Sequence, residues 1–356
     1  MSEEVIVRPP AKVYVRNSQL GAASGSLSVD MKSSQAIDIV MATYNGAAFI
    51  EEQIRSLQSQ TRGDWTLWIR DDGSNDETPA LLAQLARDDT RLKILPTRTK
   101  GPAGPVANFS ALLEALPSSS RYVFFCDQDD VWLPEKLDLE MTVLLRAEQE
   151  KGPQTPLAVH SDLRLVDSHL APIANSAKAH MGFRPQDPHP FPKLLAQNFV
   201  TGCTLGINRA LLDLALPLPP ETLMHDWWLA LIAAAAGELI YLPQATVLYR
   251  QHGKNASGLS RPKTFGQGIR SFSRNMGEFE ALMQQRFGQS NALIRHLETK
   301  AQVPALDWLK DYHRKLRSNR LDGVWHAVTG KVALQGWART GAYYLLLLKN
   351  GFPGPT

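Results

Sequence analysis

Cysteine is scarce in this chain, with only Cys126 and Cys203 in 356 residues. Two thiols supply neither a disulfide framework nor a structural zinc site, and such usage fits a reducing cytosol. Long apolar runs are also missing. The longest, Trp227 to Ala236, is about half of what a bilayer span needs. Met1 to Asp30 is polar with no apolar central run, so no secretory leader is read there. The first strand does not lead into Gly-x-Gly-x-x-Gly, which disfavours a nicotinamide dehydrogenase. No repeat, low-complexity tract or recognised nucleic-acid module is visible, so nucleic acid is not an expected partner.

What the chain does have is length for one large domain or two modest ones, and an ordinary apolar fraction of 44%. Its net charge of +3 hides an asymmetry. Residues 261–356 carry 15 Lys/Arg against 6 Asp/Glu, a net of +9, which leaves −6 for residues 1–260. A basic end on an acidic body points to an anionic surface as partner.

Taken in order, residues 1–35 are rich in Ser, Gly and Ala without a sustained period, which predicts a disordered extension. Residues 36–260 alternate strands and helices. Ile37 to Thr43 predicts a strand, and Ile50, Ile54 and Leu57 recur at helical spacing. Strands are then predicted at Trp65 to Arg70 and Leu92 to Leu95, with a helix at Ala107 to Leu116. That alternation implies an α/β fold with a mostly parallel sheet flanked by helices. Further on, strands are expected at Leu157 to His160, Val200 to Ile207, Leu239 to Leu242 and Val247 to Arg250, and a helix from Met224 to Ala236. Residues 261–356 read as a basic helical region, broken at Pro304 and around Gly323.

The chemistry concentrates at Phe124-Phe125-Cys126-Asp127-Gln128-Asp129-Asp130-Val131-Trp132. A buried strand from Tyr122 to Cys126 ends in three carboxylates within four residues. Carboxylates that close repel unless a cation sits among them, and a hard divalent ion with oxygen ligands is the usual answer. Two other polar clusters close strands: Thr43-Tyr44-Asn45 and Asp71-Asp72-Gly73-Ser74. A parallel sheet brings such ends to one edge, where open α/β sheets bind ligands. A pyrimidine nucleotide suits that edge. Its imide N–H donates to an ionised Asp, and its face stacks on Tyr44.

Six motifs in order carry a resemblance: Met41 to Gly46, Arg70 to Ser74, Asp127 to Lys136, Val200 to Thr204, His225 to Ala230 and Tyr249 to His252. They resemble the motifs of family 2 glycosyltransferases, most closely bacterial rhamnosyltransferases of O-antigen and cell-wall polysaccharide synthesis. The resemblance covers about residues 37–258. It implies a GT-A fold and inverting transfer from a nucleotide sugar with Mg²⁺ or Mn²⁺. Residue by residue, it implies that Asp72 contacts the base, Tyr44 stacks on it, and Thr43 lies beside the nucleotide sugar. Asp127 and Asp129 match the metal-binding acidic motif, with Asp129 the direct ligand. His252 matches a histidine beside the diphosphate and metal, and Asp226 the catalytic base. The expected donor is dTDP-L-rhamnose and the expected acceptor a lipid-linked saccharide, at the inner face of the cell membrane. Cys203 stands where near relatives often carry Gly.

Other readings of the same residues stay open at this level. Asp226 is also a good electrostatic helix start, with Trp227 and Trp228 as core. His252 is also an ordinary loop histidine, and Asp162 either a turn cap or a contact to acceptor or metal. The donor is alternatively a UDP-hexose, or the chain a non-catalytic sugar-nucleotide or glycan binder. Arg314, Lys315, Arg317 and Arg320 beside Trp308, Tyr312 and Trp325 suggest a helix lying on an anionic membrane, or a solvated helix packed on the catalytic domain.

Overall fold

The computed structural model describes residues 37–96, 102–183, 190–252, 276–301, 303–334 and 336–350. The extension expected over residues 1–35 and the start of the basic region at 261–275 lie outside the described residues. The first half is a run of strand–helix units: β1 (Ile37–Thr43), α1 (Ile50–Gln58), β2 (Trp65–Asp71), α2 (Thr78–Asp88), β3 (Leu92–Leu95), α3 (Pro105–Ala115) and β4 (Tyr122–Cys126). These four strands pair in parallel in the order β3-β2-β1-β4. The apolar runs of β1, β2 and β4 are largely buried on both faces because helices cover both sides, while β3 at the edge leaves Ile94 exposed. Ile37, Ile39 and Met41 point into one core layer with α1 and α4, while Val40 joins another with α3.

Beyond β4 the directions mix. β5 (Val131–Trp132), α4 (Lys136–Lys151), β6 (Leu157–Val166) and β7 (Pro172–Ala174) are followed by α5 (Ala177–Met181) and α6 (Pro190–Ala196). A 3₁₀ turn at Gly202–Thr204 leads into β8 (Leu205–Asn208), α7 (Arg209–Ala215), α8 (His225–Ala236) and β9 (Glu238–Arg250). The sheet continues β4-β8-β6-β9-β5, with β8 antiparallel to both neighbours and β6 parallel to β9. The fold is thus a GT-A fold with a mixed sheet and a helical C-terminal part. Two expectations change in detail. The strands expected at 239–242 and 247–250 are one strand, bulged where it pairs with Ser161 to Leu163. The strand expected from Val200 begins only at Leu205, after the 3₁₀ turn.

Four helices close the described chain: α9 (Met276–Glu298), α10 (Pro304–Ser318), α11 (Arg320–Thr329) and α12 (Trp337–Asn350). Pro304 opens α10, as its missing N–H allows. The next break falls at Asn319, whose side chain caps α11, and not around Gly323. Gly323 sits inside α11 because a Cβ there would come within 2.6 Å of the Leu316 backbone. Leu293, Leu309, Tyr312 and Leu316 join Leu194 and Leu229 to Ala233 in one core layer, so these helices share a core with α6 and α8. No described helix is long and apolar enough to cross a membrane.

The aromatics of the basic region divide between inside and outside. Trp308 and Tyr312 stack at 5.5 Å on the inner side of α10, with Tyr312 buried. Trp325 is 69% exposed, together with Leu321 at 70% and Val328 at 43%. Spaced i, i+4, i+7, these three form one outward face of α11.

Candidate active site

The ends of β1 and β2 are tied together before anything else is added. Asp71 accepts from Thr43 Oγ1 at 3.0 Å, from Ser74 Oγ at 2.5 Å, and from the Gly73 and Ser74 amides. It therefore spends its carboxylate on the turn. Asp72, buried behind it, accepts from the Gly104 amide at 2.8 Å and lies 3.5 Å from Arg70 Nη1. Arg70 is fixed in turn by Asn108 at 2.8 Å. Tyr44, by contrast, presents its ring to solvent at 43% exposure. Its backbone is clasped on both sides by Gln128, at 2.9 Å to the N–H and 3.0 Å to the carbonyl. The Gln128 amide fills the space a side chain at residue 46 would need, since a Cβ there would sit 2.2 Å from Oε1. A side chain at residue 46 would displace the Gln128 amide from its two bonds to Tyr44, so the β1 and β4 loops interlock through this glycine.

The acidic loop after β4 splits into an inner and an outer part. Asp130 is fully buried and accepts from the Arg250 amide at 3.0 Å, while its Oδ2 has no partner. Among the described residues, the metal-capable groups that all lie within 4.8 Å of one another are Asp127, Asp130 and Cys203. Burial pushes the Cys203 thiol and the Asp130 carboxyl up, and each is pushed further by neighbouring negative charge. Asp127 rises to about 7, through burial first and then the Asp129 and Asp226 carboxylates. Asp129 faces outward, with Oδ2 2.7 Å from His252 Nε2. The His252 ring stacks on Phe49 at 4.9 Å. Arg250, almost wholly buried, locks this loop: Nε donates to the Asp129 carbonyl at 2.9 Å, Nη1 to Ser168 O at 2.7 Å, and Nη2 to Glu52 at 2.5 Å.

Asp226 sits in the first turn of α8, 6% exposed. Its Oδ1 accepts from the Trp227 amide at 2.6 Å and from Asn198 Nδ2 at 3.2 Å. Burial raises its pKa to about 6, and the amide donors together with Lys178 oppose that rise. Lys178 on α5 is itself buried and lowered to about 8. It donates to the Phe199 carbonyl. A buried carboxyl that titrates near 6, in the first turn of a helix, is mostly ionised at neutral pH and able to accept a proton. Neighbouring His225 is packed at 3.8 Å on Phe109, and burial drops it to about 3, so it stays neutral.

Of the residues expected to act, Thr43, Tyr44 and Asp72 gather at the β1–β2 end, and Asp127, Asp129 and His252 at the β4–β9 end. Asp226 joins the second group through the field it shares with Asp127. Asp162 turns away into a structural role, accepting from Ser176 and from the Leu163 and Lys178 amides. Sequence reasoning missed Arg250, Asn198 and the Asp130–Cys203 contact. Only Arg250 carried a signal, as a lone cation closing an apolar strand two residues before His252. The donor set suits a divalent ion. Asp127, raised by burial and then by the neighbouring Asp129 and Asp226 carboxylates, favours a hard cation, and the Asp129 carboxylate and His252 imidazole border it. The Cys203 thiol is a soft donor and does not suit Mg²⁺.

Comparison with known proteins adds an independent line. Residues 38–148 match the family described as glycosyl transferase family 2. The UDP-Glc:alpha-D-GlcNAc-diphosphoundecaprenol beta-1,3-glucosyltransferase WfgD of Escherichia coli is 34% identical over 111 residues, covering 31% of this chain and 41% of that one. The dTDP-rhamnosyl transferase RfbG of Shigella flexneri is 27% identical over 229 residues, covering 61% and 73%. Among solved structures, S. aureus TarS 1–349 in complex with UDP-GlcNAc aligns over 88% of this chain and 91% of that one, at 14% identity and a TM-score of 0.49. The match to the family 2 model runs from β1 to α4 and contains both nucleotide-side clusters and the acidic loop.

Proposed function

We propose that the protein is a divalent-cation-dependent inverting glycosyltransferase that moves L-rhamnose from dTDP-L-rhamnose to a lipid-linked saccharide at the inner face of a membrane. The single observation that carries the catalytic reading is Asp226, a buried carboxyl raised to about 6 and held by Asn198 in the first turn of α8. In this reading Tyr44 stacks on the nucleobase and Asp72 accepts its imide N–H, with Thr43 fixing the turn between them. Asp129 and Asp127 hold Mg²⁺ or Mn²⁺, with His252 beside them. When bound, such an ion would supply positive charge to the departing diphosphate. Asp226 takes the proton of the acceptor hydroxyl as that oxygen attacks the anomeric carbon. Attack from the face opposite the leaving group inverts the configuration.

A positioned general base contributes typically ~100- to 10,000-fold in rate. Asp226→Asn keeps the shape and removes most of the basicity. Its turnover at saturating donor is expected to fall by that factor, with donor and metal affinity little changed. Near-normal turnover, or an NMR spectrum showing retained anomeric configuration, overturns the mechanism.

One observation favours a second donor: the Escherichia coli relative, at 34% identity, uses a name that specifies UDP-Glc. The rhamnosyl reading draws on the longer but weaker match. Competition between dTDP-L-rhamnose and UDP-glucose for one acceptor decides between them, and faster use of UDP-glucose overturns the rhamnosyl assignment.

A further inference from the structure

The described helices hold a partly buried cation, two of whose donors are shut off from solvent without an acceptor. Arg286 lies on α9 between the core residues Met283 and Phe287. Its Nε and Nη1 are shut off from solvent, and neither has a hydrogen-bond partner. Its guanidinium lies 5.7 Å from the ring centroid of Trp227, the residue that follows Asp226. The charge of a neighbouring element that acts on it is not a carboxylate but the exposed Arg339 of α12, of like sign, and Tyr343 of the same helix also acts on it. Burial and that like charge pull Arg286 down to about 10 and leave it protonated.

A guanidinium does not escape burial by losing its proton at physiological pH, and each buried N–H left without an acceptor is costly. Buried arginines are normally paired for this reason. A like-charged neighbour makes the arrangement worse for the empty protein and better for an anion. Arg recognises phosphate in particular, because its planar fork matches two oxygens at once.

We propose that Arg286 and Arg339 form a binding site for a phosphate-bearing group of the acceptor side, distinct from the donor diphosphate. The assignment rests on the glycosyltransferase reading for its biological meaning but not for its test. The same chemistry is offered by a prenyl diphosphate and by a phospholipid head group, and the experiment separates them.

Binding of inorganic pyrophosphate is measured by thermal shift in EDTA, which removes the ion needed at the donor side. The wild-type chain and Asp129→Asn are expected to be stabilised equally, and Arg286→Met not at all. Without ligand, Arg286→Met is expected to match or exceed the wild-type melting temperature, since an unpaired buried charge has been replaced by an apolar side chain of similar length. Loss of several degrees in that variant, or an equal pyrophosphate shift in both proteins, overturns the proposal. The second arm compares farnesyl diphosphate with phosphatidylglycerol vesicles. Weakening of at least ~10-fold for one of them in Arg286→Met, as expected for lost charged hydrogen bonds, identifies the source. No weakening for either overturns the site. Because none of these readouts needs sugar transfer, an inactive enzyme with intact pyrophosphate binding counts against the function and not against the site.

Discussion

Asn198 donates its side-chain amide to Asp226 at 3.2 Å while its own carbonyl oxygen accepts from the Val200 amide at 2.9 Å. The second bond fixes the first, so the carboxylate is held by a side chain that cannot swing away. Hydrogen bonds to the ionised form lower a pKa, and Asn198 opposes the rise that burial imposes. Asn198→Ala is expected to move the acid limb of the kcat–pH profile upward from about 6, lowering turnover at pH 6.5 more than at pH 8.5. The groups that also bear on Asp226 are Lys178 and Asp127, and neither is altered by the substitution. An unchanged acid limb removes Asn198 from this role.

Asp226 also sets a conflict between stability and activity. Its folded pKa of about 6 lies above the ordinary 3.8, so the folded state binds the proton more tightly than the unfolded state. The cost is absent below pH 4, develops as pH rises to about 6, and is full above that. Asp226→Asn removes the ionisation and is expected to stabilise the fold at pH 8 by up to roughly 3 kcal/mol. Denaturant titrations at pH 8 and pH 4 check this: the gain should shrink toward zero at the lower pH.

Arg250 is the fastening of the acidic loop. It is 2% exposed and donates to Asp129, Ser168 and Glu52. Arg250→Met leaves a half-exposed Glu52 and two carbonyls without their donor. Breaking a buried pair typically costs ~3–5 kcal/mol, and the exposure of Glu52 places this case near the lower end. Mn²⁺ affinity should fall with it, because Asp129 and His252 are carried by the two segments that Arg250 joins. Calorimetric titration of the folded variant with Mn²⁺ is the check. Unchanged affinity with lowered stability makes Arg250 a purely structural residue.

The outward face of α11 sets the terms for the membrane reading. Leu321, Trp325 and Val328 face out, and Arg320 and Lys331 flank them. Each basic residue near an anionic surface contributes on the order of 1 kcal/mol, screened by salt. Trp325→Ala is expected to lower binding to phosphatidylglycerol liposomes markedly, and raised salt to weaken the rest. The Trp325 fluorescence should shift to the blue when liposomes are added. Binding that ignores both the substitution and the salt rules this face out.

The sequence was most informative where burial is two-sided. β1, β2 and β4 announce themselves as apolar runs ending in polar clusters, and parallel pairing then brings Thr43, Asp71 and Asp127 to one edge. It was least informative where a contact joins distant segments. β5 is two residues long and exists because the distant β9 pairs with it, at Val131–Leu248 and Trp132–Val247. Asn198 reaches Asp226 across 28 residues, and no periodicity in an irregular stretch could mark it. The inner group of Asp130 and Cys203 was hidden for a different reason. Three adjacent carboxylates look alike in a string of letters, and only the direction of the β4 loop turns Asp130 inward and Asp129 out.

Strand β9 runs 13 residues, is paired along its length with β6, and takes β5 on its other side near the end that carries Arg250. Where a strand is hydrogen-bonded on both sides, as β9 is at Val247 and Leu248, its amide hydrogens exchange only when a large part of the sheet opens. The Arg250 amide, bonded to Asp130, lies at the end of such a strand, and the acidic loop is anchored to it. Solvent deuterium should therefore reach this amide late, close to the time scale on which the whole sheet unfolds. The loop that would meet the leaving diphosphate is then among the slowest parts of the molecule to breathe, and adaptation to different acceptors has to come from elsewhere on the rim.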